Sequence, residues 1–94
     1  MALYFLLEEG DLEGVKIGYT EQTLEKRISD LQTGNRRKFI PILYCPGTRT
    51  DDSRLRRSLR PYRIRGDWYI YDKLKLLINY YRDTRLWNEP DNLR

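Results

Sequence analysis

The chain has 94 residues, of which 39% are hydrophobic and 13% aromatic, and its 18 Lys and Arg against 14 Asp and Glu leave a formal net charge of +4. That is enough for one domain with a modest core and argues against global disorder, and no apolar run approaches the ~20 residues of a membrane span. The absence of histidine removes His-ligated metals, Ser–His and Cys–His nucleophiles and any histidine general base, and the single Cys45 excludes an intramolecular disulfide and a thiolate zinc cage.

An enzyme built from what remains works with Tyr, Lys, Arg, Asp and Glu, a set that favours phosphate chemistry with a hard metal over acyl transfer. Met1 to Leu7 is apolar but short for a signal sequence and has no basic leader, so the expected location is the cytoplasm, or the host cytoplasm if the chain is viral.

In chain order, Leu3 to Leu7 reads as a first strand, Glu8 to Asp11 as a turn and Val15 to Tyr19 as a second strand, together a hairpin. In that pairing Tyr4 comes beside Lys16 or Gly18. Val15 to Thr20 is the corner on which the chain turns, a strand that runs through Gly18 into a helical pattern. Thr20 or Thr23 caps a helix whose Leu24, Ile28 and Leu31 share one face, and Gly34-Asn35 stops it. Arg27 lies beside that stripe, on the turn nearest Gly18.

Phe39 to Cys45 reads as a third strand, with Pro41 marking its start or an edge position and Cys45 a small core residue. Pro46-Gly47-Thr48 is a turn. Asp51 is expected to cap a second helix, with Leu55 and Leu59 inward and Pro61 ending it. Asp52 then stands in the first turn, where the helix dipole alone gives a carboxylate a reason to be. Gly66 to Tyr71 is a short extended piece after a turn. Asp72 caps a third helix with Leu74, Leu77, Ile78 and Tyr81 on one face, and residues 84–94 form a polar tail pinned by Trp87.

Charge is segregated along this order. Glu8, Glu9, Asp11 and Glu13 share one turn, whereas Arg49, Arg54, Arg56, Arg57, Arg60, Arg63 and Arg65 fall within seventeen residues, opposed only by Asp51 and Asp52. A charge run is ordinarily a solvated helix face. Seven arginines against two acids exceed what solubility asks, and the guanidinium fork suits phosphate oxygens, so a polyanionic partner is expected.

A Tyr-bearing strand, a strand ending Lys16-Ile17-Gly18, a helix with Arg27 closing on Leu31-Gln32-Thr33-Gly34-Asn35, and a late Gly66-Asp67-Trp68-Tyr69 follow one another. This series, from residue 3 to about 71, resembles the GIY-YIG nuclease superfamily, and more narrowly its small phage and bacterial branch, in which the second signature is often Lys-Ile-Gly. The resemblance implies that Tyr4 activates the attacking water, that Lys16 stands in place of the second-signature tyrosine, and that Arg27 steadies the scissile phosphate. Arg27 lies one residue further from Gly18 than the family spacing, which implies a small insertion within Tyr19–Thr23. Asp52 falls where the family has its metal-binding glutamate and Arg56 where this branch has histidine. The domain so implied covers residues 1–83.

The chemistry is coherent for these residue types. An anionic phosphodiester must be neutralised, a water aligned and the leaving oxygen stabilised. Tyrosine ionises at about 10, and an adjacent ammonium such as Lys16 favours tyrosinate. Arg27 supplies a bidentate clamp, Asp52 an oxygen ligand for Mg²⁺ or Mn²⁺, and Gly18 and Tyr19 line the approach of the phosphate. Asp52 is a methylene shorter than glutamate, and Arg56 stabilises charge but shuttles no proton at neutral pH.

The expectation is therefore an α/β (α+β) fold with a small three-stranded, mainly antiparallel sheet flanked by helices. Its expected function is a divalent-metal-dependent DNA endonuclease with Tyr4, Lys16, Arg27 and Asp52 as catalytic set. Arg54, Arg56, Arg57, Arg60, Arg63 and Arg65 are the backbone contacts. A protein partner supplying specificity fits so short a chain, and no membrane is involved. The alternative is a catalytically degenerate module on the same scaffold that binds nucleic acid or inhibits a nucleic-acid-processing protein.

Overall fold

The hairpin of β1 (Ala2–Glu8) and β2 (Asp11–Thr20) is the centre of the molecule, seen here in a computed structural model that describes residues 1–84. Leu3 to Leu7 are buried without alternation, as a strand covered on both faces must be. Leu3, Phe5 and Leu7 enter one cluster with Val15, Ile17, Leu43, Leu55, Leu59, Tyr69, Leu74 and Ile78, and Tyr4 and Leu6 enter a second with Phe39. The sheet thus separates two cores.

The second cluster is roofed by α1 (Leu24–Gln32), which lays Leu24, Ile28 and Leu31 on it and buries none of its residues completely. Thr23 is the N-cap, its hydroxyl accepting from the Lys26 amide at 3.2 Å. The Leu-Gln-Thr-Gly-Asn stretch has a structural job. Gly34 takes φ +79°, and Gln32 holds the next turn by donating to the Asn35 and Arg37 carbonyls and accepting from the Phe39 amide. That hands the chain to β3 (Phe39–Pro46) in fixed register on β1. Pro41, without an amide donor, sits on an edge strand beside a register shift.

The other face is covered by α2 (Arg49–Ser58) and α3 (Tyr71–Thr84), through Leu55, Leu59, Leu74 and Ile78. The cap of α2 is Thr48, one turn earlier than Asp51. Thr48 and Asp51 form a reciprocal capping box, Asp51 amide to Thr48 hydroxyl at 3.2 Å and Thr48 amide to Asp51 carboxylate at 2.8 Å. The helix closes at Ser58, before Pro61, which lies in a 3-10 turn at Arg60–Tyr62. Asp72 lies in the first turn of α3, which begins one residue earlier at Tyr71.

The class is α+β, with a sheet larger than the three strands expected. Two short strands, β4 (Arg63–Arg65) and β5 (Trp68–Ile70), form a hairpin around Gly66 (φ +49°), giving a fully antiparallel order β3-β1-β2-β5-β4. Arg-Ile-Arg is too short for periodicity to reveal, and all three residues are exposed on the outermost strand, where charge discourages edge pairing. Among the described residues no helix is long and apolar enough to cross a membrane. The tail with Trp87 lies outside the described residues, apart from Thr84, which ends α3.

Candidate functional site

Gly18 lies opposite Tyr4 in the β1–β2 ladder, and the pairing explains its identity. A Cβ on Gly18 would come within 2.1 Å of both Cζ and the hydroxyl of Tyr4, far inside any van der Waals contact. The Tyr4 ring therefore lies across the glycine. Its hydroxyl accepts a hydrogen bond from Arg27 Nε at 3.2 Å, from one turn into α1. Tyr4, Gly18 and Arg27 are thus brought together as the sequence suggested. The tyrosine, though, is only 1% exposed.

Lys16 pairs with Leu6 and so shares the face of Tyr4, two residues away along each strand. Its ammonium does not bond the tyrosine. It lies 3.3 Å from the Asp67 carboxylate and 5.6 Å from the centre of the Trp68 ring. The expected partnership of Lys16 with Tyr4 is replaced by two others, Arg27 with Tyr4 and Asp67 with Lys16.

Asp52 is in the first turn of α2, as expected, and its carboxylate is taken. Arg56, one turn on, directs Nε at both of its oxygens, at 3.1 and 3.0 Å. The other ends of the same guanidinium reach the Asp67 carboxylate at 2.5 Å and the Ile17 carbonyl at 2.8 Å. Burial alone would lower the basicity of Arg56, but Asp67 and Asp52 more than offset it and hold the guanidinium above its ordinary range. Burial likewise pushes the Asp67 carboxyl up, and Arg56 and Lys16 outweigh it, leaving Asp67 below the usual carboxylate value.

Asp67 is the residue the sequence reading passed over. It appears there only as one letter of Gly-Asp-Trp-Tyr, yet it joins Lys16 to Arg56 and so links both faces of the sheet. The available signal was its place directly before a strand, where an acid is free to pair with a lysine on the neighbouring strand.

A divalent ion at Asp52 does not fit this arrangement, because both carboxylate oxygens face a fixed positive charge. Among the described residues no group of three or more acidic, cysteine or histidine side chains is placed to hold a metal.

The arginines divide. Arg56, Arg57, Arg60 and Arg63 line one open groove of about 430 Å³ with Ser53, Gly66, Asp67 and Tyr69. Ser53, Arg57 and Arg60 follow one another at helical spacing along one face of α2 and its continuation. Arg63 is anchored by Nε to the Gly66 carbonyl at 2.9 Å, which leaves its two terminal nitrogens open to the groove. The side chains of Arg57 and Arg60 are exposed and have no hydrogen-bond or ion-pair partner among the described residues. Arg54 and Arg65 are exposed outside the groove lining. Tyr19 is engaged elsewhere: its hydroxyl meets Glu21 at 3.2 Å and Arg49 lies 5.5 Å over its ring. Partial desolvation and Glu21 raise the Tyr19 hydroxyl above ordinary tyrosine, against the opposing pull of Arg49.

Comparison with known protein families, with characterised proteins and with solved structures finds no match in any of the three. The likeness to GIY-YIG nucleases rests on the motifs quoted above.

Proposed function

We propose that this chain is a nucleic-acid-binding module on a GIY-YIG-like scaffold, one whose nuclease-like corner no longer supports hydrolysis and whose contact surface is the groove between α2 and β4. The observation that carries this reading is the division among the arginines. Arg56 is spent on Asp52, Asp67 and Ile17, whereas Arg57, Arg60 and Arg63 converge on one groove from three successive elements. Exposed guanidinium groups carried along one helical face and onto the adjoining strand can meet successive phosphates, and neutralising phosphates releases condensed counterions. Duplex DNA backbone is the favoured ligand because, among the described residues, no exposed aromatic side chain lines the groove to stack an unpaired base.

Three features argue against phosphodiester hydrolysis. The hydroxyl of Tyr4 is buried under α1 and already accepts from Arg27, so a water aligned on it has no approach. Lys16 is drawn to Asp67 rather than towards that hydroxyl. Asp52 is covered by Arg56, which cannot pass a proton at neutral pH.

The test incubates the protein with supercoiled and with branched DNA, in Mn²⁺ and in EDTA, beside Tyr4→Phe, and measures nicking and retention together. Retention without nicking in either condition is the expected result. Metal-dependent nicking that disappears in Tyr4→Phe restores the endonuclease; no retention at low salt removes the nucleic-acid reading altogether.

A further inference from the structure

We propose that the Arg56 guanidinium does in this protein the work of a resident cation, holding together a set of oxygens that would otherwise suit a divalent metal ion. The set comes from three separate elements. Asp52 belongs to α2, Asp67 to the turn between β4 and β5, and the Ile17 carbonyl to β2. Four oxygens converge on one planar cation, at 3.1 and 3.0 Å from Asp52, 2.5 Å from Asp67 and 2.8 Å from Ile17. Carboxylate and backbone-carbonyl oxygens are the donors hard cations select, and here the rim of one guanidinium gathers them from distant positions.

The Ile17 carbonyl shows what the guanidinium replaces. Ile17 is fully buried, and its amide donates to the Asp67 carbonyl at 3.0 Å where the β2–β5 ladder runs out. A buried carbonyl left without a donor at that point costs as much as a lost hydrogen bond. Arg56 supplies the donor from across the sheet edge, so one side chain both completes the ladder and neutralises two acids. Lys16, 3.3 Å from the second oxygen of Asp67, completes the balance of two cations and two carboxylates.

The consequence for metals is direct. A divalent ion approaching Asp52 in the natural protein must displace a guanidinium that has no comparable set of acceptors to retreat to. Once the guanidinium is removed, two carboxylates and a carbonyl face one gap with Lys16 as the remaining counter-charge. The natural chain is therefore indifferent to divalent ions, and loss of Arg56 creates a site for one.

The test compares the natural protein, Arg56→Ala and Arg56→Ala/Asp52→Asn by Mn²⁺ titration, followed by the electron paramagnetic resonance of free Mn²⁺, and by thermal unfolding in MnCl₂ or EDTA. Arg56→Gln, which keeps much of the stem, repeats each arm so that a failure of the alanine variant to fold leaves the measurement intact. The natural protein is expected to bind no stoichiometric Mn²⁺ and to melt at one temperature in both buffers. Arg56→Ala is expected to melt several degrees lower in EDTA, to bind one Mn²⁺ with recovery of part of that loss, and to lose the recovery when Asp52→Asn is added. Stoichiometric Mn²⁺ on the natural protein that Asp52→Asn abolishes overturns the proposal. So do Arg56→Ala and Arg56→Gln proteins that ignore Mn²⁺. Neither readout involves nucleic acid, so the proposal can fail while the groove still binds, and the reverse.

Discussion

Replacing Gly18 with alanine tests whether the corner is built as described. The added methyl would lie 2.1 Å from Tyr4 Cζ and hydroxyl oxygen and 2.5 Å from Cε1, where carbon atoms normally keep about 3.5–4.0 Å apart. The ring must therefore move by more than an ångström. It has little room to do so, because Tyr4 is 1% exposed and packed among Leu6, Phe39 and the residues of α1. Overpacking of this kind costs about 1–3 kcal/mol, and loss of the Arg27 bond adds about 1 kcal/mol. Alanine returns about 0.4–1 kcal/mol by restricting the unfolded chain. The net destabilisation is about 1–3.5 kcal/mol, or a fall in melting temperature on the order of 5–25 °C for a domain of this size.

Urea unfolding followed by circular dichroism measures it. Repeating Gly18→Ala in a Tyr4→Leu background separates the clash from any general intolerance of the strand, since the shorter side chain leaves room for the methyl. The cost should shrink by at least 1 kcal/mol there, a coupling within the usual range for touching residues. A Gly18→Ala protein within about 0.5 kcal/mol of the natural one, the range of an ordinary surface change, refutes the packing argument.

Other outcomes follow from the same contacts. Tyr4→Phe removes the Arg27 hydrogen bond while leaving the ring in place, and should lower stability by about 1 kcal/mol in urea with DNA retention unchanged. Asp67 is held below the ordinary carboxylate value, so its stabilising contribution is present above the unfolded value of about 3.9 and is lost as pH falls through its lower folded value. Urea midpoints between pH 6 and pH 2 should therefore show a flatter acid limb in Asp67→Asn than in the natural protein; identical limbs would show that the carboxylate is not engaged. Thr48→Ala removes the α2 cap and should cost about 1 kcal/mol, whereas Asp51→Ala, which leaves the cap hydroxyl, should cost less.

What could be read from the chain beforehand was whatever carries a local signal. The β1–β2 hairpin, the apolar stripe of α1 with its Thr cap and Gly34 stop, and the inward leucines of α2 all follow from spacing within one element. The meeting of Tyr4, Gly18 and Arg27 needed more, the register of the hairpin and the place of Arg27 on the turn of α1 nearest Gly18. The misses are of two kinds, contacts between separate elements and local pairings that the spacing offered but did not single out. Arg63 to Arg65 becomes a strand only because β5 lies beside it, and Thr48 outranks Asp51 as a cap because both halves of a capping box are present. The partners of Lys16 and Asp52 are the more instructive case. Asp52 finds Arg56 one helical turn on, an i,i+4 pair that the spacing already offered, whereas Asp67 reaches Lys16 and Arg56 from the β4–β5 turn, a geometry that no window of sequence contains.

The account turns on whether Arg57, Arg60 and Arg63 meet phosphate. The direct measurement is the affinity for a labelled 20-base-pair duplex as a function of salt, for the natural protein and for the Arg57→Ala/Arg60→Ala/Arg63→Ala protein. Three phosphate contacts predict a slope of about −2.7 in log affinity against log salt, and loss of most of that slope together with the binding when the three are replaced. Undiminished affinity and an unchanged slope in the triple variant would contradict it.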